Sequence, residues 1–219
     1  MPETIADQVR AMREARAAMP PDPARVVYAQ DRERLAAEGL PQGLIAAGDR
    51  VPEAMLLDPK GQPVALSSVL ANRAAVLVFY RGAWCPYCNI ALRIYQAQLL
   101  PELNHRGIGL VAVSPQRPDA SLSLVEKEAL EFAVLSDAGL TLARQLGIVY
   151  TPPPEVIAAN LGRGLDVAAG NADGTSALPM PATVVVDAGG VARWVDVHPD
   201  YSTRSEVTEI LTAVDSMLT

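Results

Sequence analysis

The stretch VFYRGAWCPYCNIALR, Val78 to Arg93, holds both cysteines of the chain, Cys85 and Cys88. Thiols at this spacing have four chemical uses: holding a metal, stapling a structure, exchanging disulfides, or reducing a peroxide. A zinc site needs about four ligands. The chain offers two cysteines and two histidines, and neither His105 nor His198 stands at a ligand spacing from the pair. A structural disulfide belongs to oxidising compartments. Cysteines used as small apolar residues would not need the position these two occupy, where an apolar strand gives way to a helix. Redox chemistry is the reading that remains.

That position carries its own physics. The first N–H groups of a helix have no partner inside it, and the helix dipole adds partial positive charge there. A thiolate at that end is stabilised, which lowers its pKa from the free value of about 8.5. Pro86 suits the first helical turn because it has no N–H to lose. Arg81, four residues before Cys85, supplies a full positive charge; its other reading is a solvated charge at a strand end. Cys88 returns one turn later beside Cys85. The expectation is that Cys85 attacks and Cys88 resolves. Trp84 and Tyr87 flank the pair, either as an apolar lip of the site or as ordinary core or rim packing.

The elements around the pair can be read from periodicity. Ile5, Val9 and Met12 recur at helical spacing, and a second helix opens at Asp22-Pro23 and runs to Gly39. Residues 1–45 therefore read as a helical arm, either packed on the domain's own surface or forming a homodimer contact. Two short strands flank the turn Asp58-Pro59-Lys60-Gly61. AAVLVFYR is a strand buried on both faces. A helix starts at Pro86 and runs until Pro101 ends or bends it. IGLVAVS and EFAVLSD are further strands, with helices between and after them. Residues 151–179 fit neither period and read as an insertion. ATVVVDAGGVARWVDV is an antiparallel hairpin. The last segment is an amphipathic helix with Thr203 and Glu206 as its capping box. The order argues an α/β sandwich with a mixed sheet.

The 219 residues are half apolar and carry a net charge of −7 without a basic run, which argues against nucleic acid and anionic membrane surfaces as partners. No stretch approaches the roughly 18 apolar residues of a membrane span. The N-terminus lacks the pattern of a secretory signal, so a cytoplasmic location is expected.

FYRGAWCPYC resembles the active-site segment of a peroxiredoxin-like branch of the alkyl hydroperoxide reductase/thiol-specific antioxidant (AhpC/TSA) family, within the thioredoxin-fold superfamily. GDRVPEAMLLDPKGQPVALSSVL, GLVAVSPQ, VLSDAGLTLARQLGIVY and LPMPATVVVDAGG are similar to its other segments, and HPDYSTR resembles the branch's stretch through Asp200, Tyr201 and Arg204. The resemblance implies a thioredoxin-like, peroxiredoxin-type three-layer sandwich over residues 46–219 with an N-terminal helical extension. It places Pro181 at the fold's cis-proline, facing the cysteines. The family pattern is Pro-x-x-x-Thr/Ser-x-x-Cys. Counted back from Cys85, its hydroxyl place holds Gly82 and its proline place Val78. The family's second arginine would fall near Ala182, and Arg81 is the candidate to stand in for it.

The function that the resemblance implies is that of a thiol peroxidase. Cys85 reduces hydrogen peroxide or an organic hydroperoxide, Cys88 closes the disulfide, and a thioredoxin- or glutathione-type donor restores the dithiol. Trp84, Pro86, Tyr87 and Pro181 bind substrate, and no cofactor or metal is required. Two alternatives stand beside it: a protein disulfide oxidoreductase with little peroxidase activity, and a redox-sensing binding module.

Overall fold

Thr4 opens the first helix. In the computed structural model, which describes residues 3–219, its side chain accepts from the Asp7 N–H and begins α1 (Ile5–Ala17). After the proline-rich break, Asp22 accepts from the Ala24 N–H and Pro23 starts α2 (Pro23–Glu38), which stops at Gly39. The strands β1 (Met55–Leu57) and β2 (Pro63–Ala65) pair across a turn in which Asp58 accepts from the Lys60 and Gln62 N–H groups. A short helix, α3 (Leu66–Leu70), leads into β3 (Ala75–Phe79). All five residues of β3 are buried, at about 1.5–3 kcal/mol for each large apolar side chain. That makes β3 a fixed support for the loop at its C-terminal end.

Beyond that loop the chain enters α4 (Pro86–Ile94), continued by a π turn at Tyr95–Leu99 and by α5 (Leu100–His105). Pro101 therefore neither ends the helix nor stands in its middle. The wider π turn just before it absorbs the missing N–H, and Pro101 sits in the first turn of α5. The chain goes on through β4 (Gly109–Ser114), α6 (Pro118–Glu128), β5 (Ala133–Ser136), α7 (Thr141–Gln145) and β6 (Val149–Tyr150). The segment that fits neither period contains two short helices, α8 (Pro154–Gly162) and α9 (Val167–Gly170), before β7 (Leu178–Pro179). The hairpin β8 (Ala182–Val186) and β9 (Ala192–Val197) precedes α10 (Val207–Leu218).

Seven strands form one mixed sheet in the order β2-β1-β5-β4-β3-β8-β9, and β6 with β7 forms a separate pair. β3 lies at its heart, parallel to β4 and antiparallel to β8. The sheet and its helices match the expected α/β architecture. The capping box of α10 differs from the expected one. Glu206 and Glu209 form it, while Thr203 bonds to His198 and to the Asp200 carbonyl. Glu206 has a second task, because its carboxylate accepts from the N–H groups of Ile5 and Ala6 and so ties α1 to α10. α1 also packs on α4, and α2 on α8. Among the described residues, no helix is long and apolar enough to cross a membrane.

Candidate active site

The loop between β3 and α4 is pinned at every step. Tyr80 still donates to the Val113 carbonyl at 3.0 Å, after which the chain turns at Gly82 with φ +143°. A Cβ at Gly82 would stand 2.7 Å from the Gln116 side chain and from Trp84 Nε1. Glycine is needed here for both conformation and space. The same buried Gln116 accepts from the Ala83 N–H at 2.6 Å. Cys85 is the N-cap of α4, and its carbonyl accepts from the Cys88 and Asn89 N–H groups at 3.1 Å each. Asn89 in turn donates to the Ala83 carbonyl at 2.8 Å.

Cys85 and Cys88 are free thiols, each 1% exposed. Their environments push them apart. The lowered value expected for Cys85 from its helix end is corrected: burial raises its thiol well above the ordinary value, and the hydrogen bond it shares with Cys88 raises it further. Burial also works against a charge on Cys88, but the Cys85 thiol, the Arg204 guanidinium and the Arg81 backbone outweigh it and hold Cys88 well below the ordinary value. Arg204 Nη2 stands 2.9 Å from Cys88 Sγ, while its Nη1 donates to the Tyr201 carbonyl at 2.8 Å. These directions favour the proton on Cys85 and the charge on Cys88.

Arg81 is 5% exposed, which removes the reading of a solvated charge. Its guanidinium carbon lies 3.9 Å from the ring centre of Tyr201 and 5.0 Å from that of Trp84. Among the described residues it has no carboxylate partner, and its Nε has no hydrogen-bond partner.

Over the cysteines lies a cavity of about 490 Å³. Trp84, Cys85, Pro86 and Tyr87 line it together with Tyr28, Tyr201 and Leu165. Cys88 sits behind Cys85 and does not reach the cavity. A larger groove, about 820 Å³ between β9 and α10, includes none of these residues.

Of the residues read from the sequence, Arg81, Trp84, Cys85, Pro86, Tyr87 and Cys88 thus come together. Pro181 does not join them. Among the described residues there is no cis peptide bond, so the bond before Pro181 is trans and the cis-proline expectation is corrected. The β8–β9 ladder runs one residue past Ala182, and the Pro181 carbonyl accepts from the His198 N–H at 2.8 Å. Pro181 therefore belongs to the hairpin and lines no part of the cavity. Sequence reasoning missed Arg204 and the arginines of the arm as site residues. The one available signal was the stretch HPDYSTR, which carries Tyr201 and Arg204 into the site together.

The sequence model of the AhpC/TSA family matches residues 47–195. Peroxiredoxin Bcp of Escherichia coli is 30% identical over 104 residues, which are 48% of this chain and 65% of that protein. The chain thus spans just under two thirds of the length of that relative. Among solved structures, peroxidoxin BcpB from Mycobacterium tuberculosis superposes with a TM-score of 0.61 at 21% identity, covering 79% of this chain and 98% of that one. Reduced Prx3 from Vibrio vulnificus in complex with hydrogen peroxide gives 0.63 at 21% identity, covering 78% and 99%. These likenesses confirm the thioredoxin-like, peroxiredoxin-type fold.

Proposed function

The chain belongs to the AhpC/TSA family, and from that premise we propose that it is a thiol peroxidase using Cys85 and Cys88. The observation that carries the reading is a pair of free, buried cysteines of which Cys85 lines a cavity and Cys88 has the Arg204 guanidinium 2.9 Å from its sulfur. Cys85 is the sulfur that substrate meets. As it attacks the distal oxygen of a hydroperoxide, its proton passes to the Cys88 thiolate. The O–O bond breaks and the alkoxide leaves as the alcohol, taking that proton. Cys85 is then a sulfenic acid. Cys88, again a thiolate held by Arg204, attacks it and closes the disulfide, and hydroxide leaves to be protonated by solvent. Arg81 faces the charge that develops on the oxygens. A thioredoxin- or glutathione-type donor returns two electrons.

The test is mass spectrometry of the reduced protein after one equivalent of peroxide. Cys88→Ser, which loses both the base and the resolving thiol, should form the Cys85 sulfenic acid more slowly but retain it for trapping, and Cys85→Ser should consume no peroxide above background. A peroxide rate no faster than that of a free thiol, beside rapid turnover of a model disulfide, would overturn the reading in favour of a disulfide oxidoreductase.

One observation favours a second assignment within the same function. Counted back from Cys88, the family pattern puts Cys85 in the hydroxyl place and Arg81 in the proline place. Cys88 is also the sulfur that Arg204 touches. On that reading Cys88 attacks and Cys85 donates its S–H, and the trapped sulfenic acid appears on Cys88 in the Cys85→Ser protein.

A further inference from the structure

The cavity over Cys85 is built for more than hydrogen peroxide. Its volume of about 490 Å³ lies in the range of sites for organic ligands, roughly 300–1,000 Å³. Its charge is unlike that of the rest of the molecule. The chain carries a net charge of −7, yet five arginines line this cavity, Arg16, Arg25, Arg32, Arg81 and Arg163, against one carboxylate, Asp22.

Those cations are only partly cancelled by their neighbours, two carboxylates standing against five guanidiniums. Asp22 is shared, in contact with Arg163 and 4.0 Å from Arg25. Arg32 has Asp200 at 3.8 Å. Arg16 forms no ion pair among the described residues. Arg81 is the strongest case, because it is buried beside Cys85 with no carboxylate and an unpartnered Nε. A buried guanidinium without an anion is a site for one. Between the arginines, Met19, Trp84 and Leu165 give the walls apolar surface.

Most of the rim lies outside the family match. Arg16, Arg25 and Arg32 precede the matched residues 47–195, while Arg163 lies within them, just after α8.

We propose that the cavity selects a carboxylate-bearing organic hydroperoxide. The inference rests on the peroxidase reading and names its substrate class. The rim arginines hold the carboxylate, the apolar walls take the carbon chain, and the peroxide end reaches Cys85. The reaction is unchanged: sulfur bonds to the distal oxygen, the O–O bond breaks, and the hydroxy acid leaves after its alkoxide takes the proton held by the pair. The carboxylate is untouched.

Oxidation of the reduced protein by a medium-chain hydroperoxy acid should be compared with its methyl ester, with dithiothreitol as the reference thiol. Focusing by a cationic cleft predicts an advantage of about tenfold or more for the acid at low salt. At 1 M salt, where the screening length is about 3 Å, most of that advantage should disappear. The Arg16→Gln/Arg163→Gln protein should bring the acid-to-ester ratio toward one, with circular dichroism confirming its fold. Equal rates for acid and ester, both faster than dithiothreitol, would overturn this inference and leave the peroxidase reading standing. Rates no faster than dithiothreitol for either would remove both. A preference seen only in reduction of the disulfide, for glutathione over its diethyl ester, would also overturn it and assign the arginines to the thiol donor.

Discussion

A buried thiol resists ionisation, because its thiolate loses hydration that the protein interior does not replace. Cys88 escapes that rule through a guanidinium at 2.9 Å and a thiol donor beside it. The direction of its shift sets a pH profile. With its folded value well below the free value of about 8.5, Cys88 stays ionised below the pH at which a free thiol protonates, and oxidation by peroxide should slow only as pH falls through that lower value. The same sign governs stability, in that the contribution of the thiolate is present above about 8.5 and lost as pH drops through the folded value. Arg204→Gln removes the charge and should move the midpoint upward. Once the midpoint lies above neutrality, each further unit lowers the thiolate fraction at pH 7 by about tenfold. Thiolate absorbance against pH measures it directly, and an unmoved midpoint would mean that Arg204 serves only the backbone carbonyls it also binds.

At the scale of elements, the cysteine loop depends on a glycine that contributes no chemistry. Gly82 holds φ +143° against Gln116, and the Gln116 amide oxygen fixes the next N–H. Gly82→Ala must either change that conformation or push Gln116 away. The expected loss of stability is about 1–3 kcal/mol, read by urea unfolding, with a faster reaction of Cys85 toward alkylating reagents as the loop loosens. An unchanged midpoint and reactivity would show that the loop tolerates a side chain. Elements of this kind divide by how local their causes are. β3 and α10 were legible because an unbroken apolar run and a helical stripe are properties of consecutive residues. So were the Asp22 cap and the Asp58 turn. The π turn before Pro101 was not, since it answers to packing against other elements. The place of Pro181 was not legible either, because the ladder it extends pairs it with a residue beyond β9. Gly82 was visible only as a missing hydroxyl, and its crowding by Gln116 required the fold.

At the scale of the molecule, the site is assembled from segments far apart in sequence. Arg204 meets Cys88 across 116 positions, and the cavity needs the arm, the cysteine loop, the segment around Arg163 and Tyr201 at once. Each arginine was in plain view as a residue, but their convergence was invisible until the chain closed. The clamp that holds the arm in place is Glu206, which accepts the first N–H groups of α1 while capping α10. Replacing it with alanine leaves two helix ends without an acceptor, each worth about 0.5–2 kcal/mol. The arm should then detach more often while the sheet stays folded, because neither helix end contributes to the strand ladders. A detachment free energy lowered by about 1.4 kcal/mol opens the arm about tenfold more of the time. Hydrogen exchange at Ile5–Asp7 should rise by that factor. Cys85, which is 1% exposed beneath the arm, should react with a bulky maleimide in proportion. Faster exchange without faster labelling would show that α1 opens but does not gate the cysteine. Neither change would show that contacts between α1 and α4 hold the arm without Glu206.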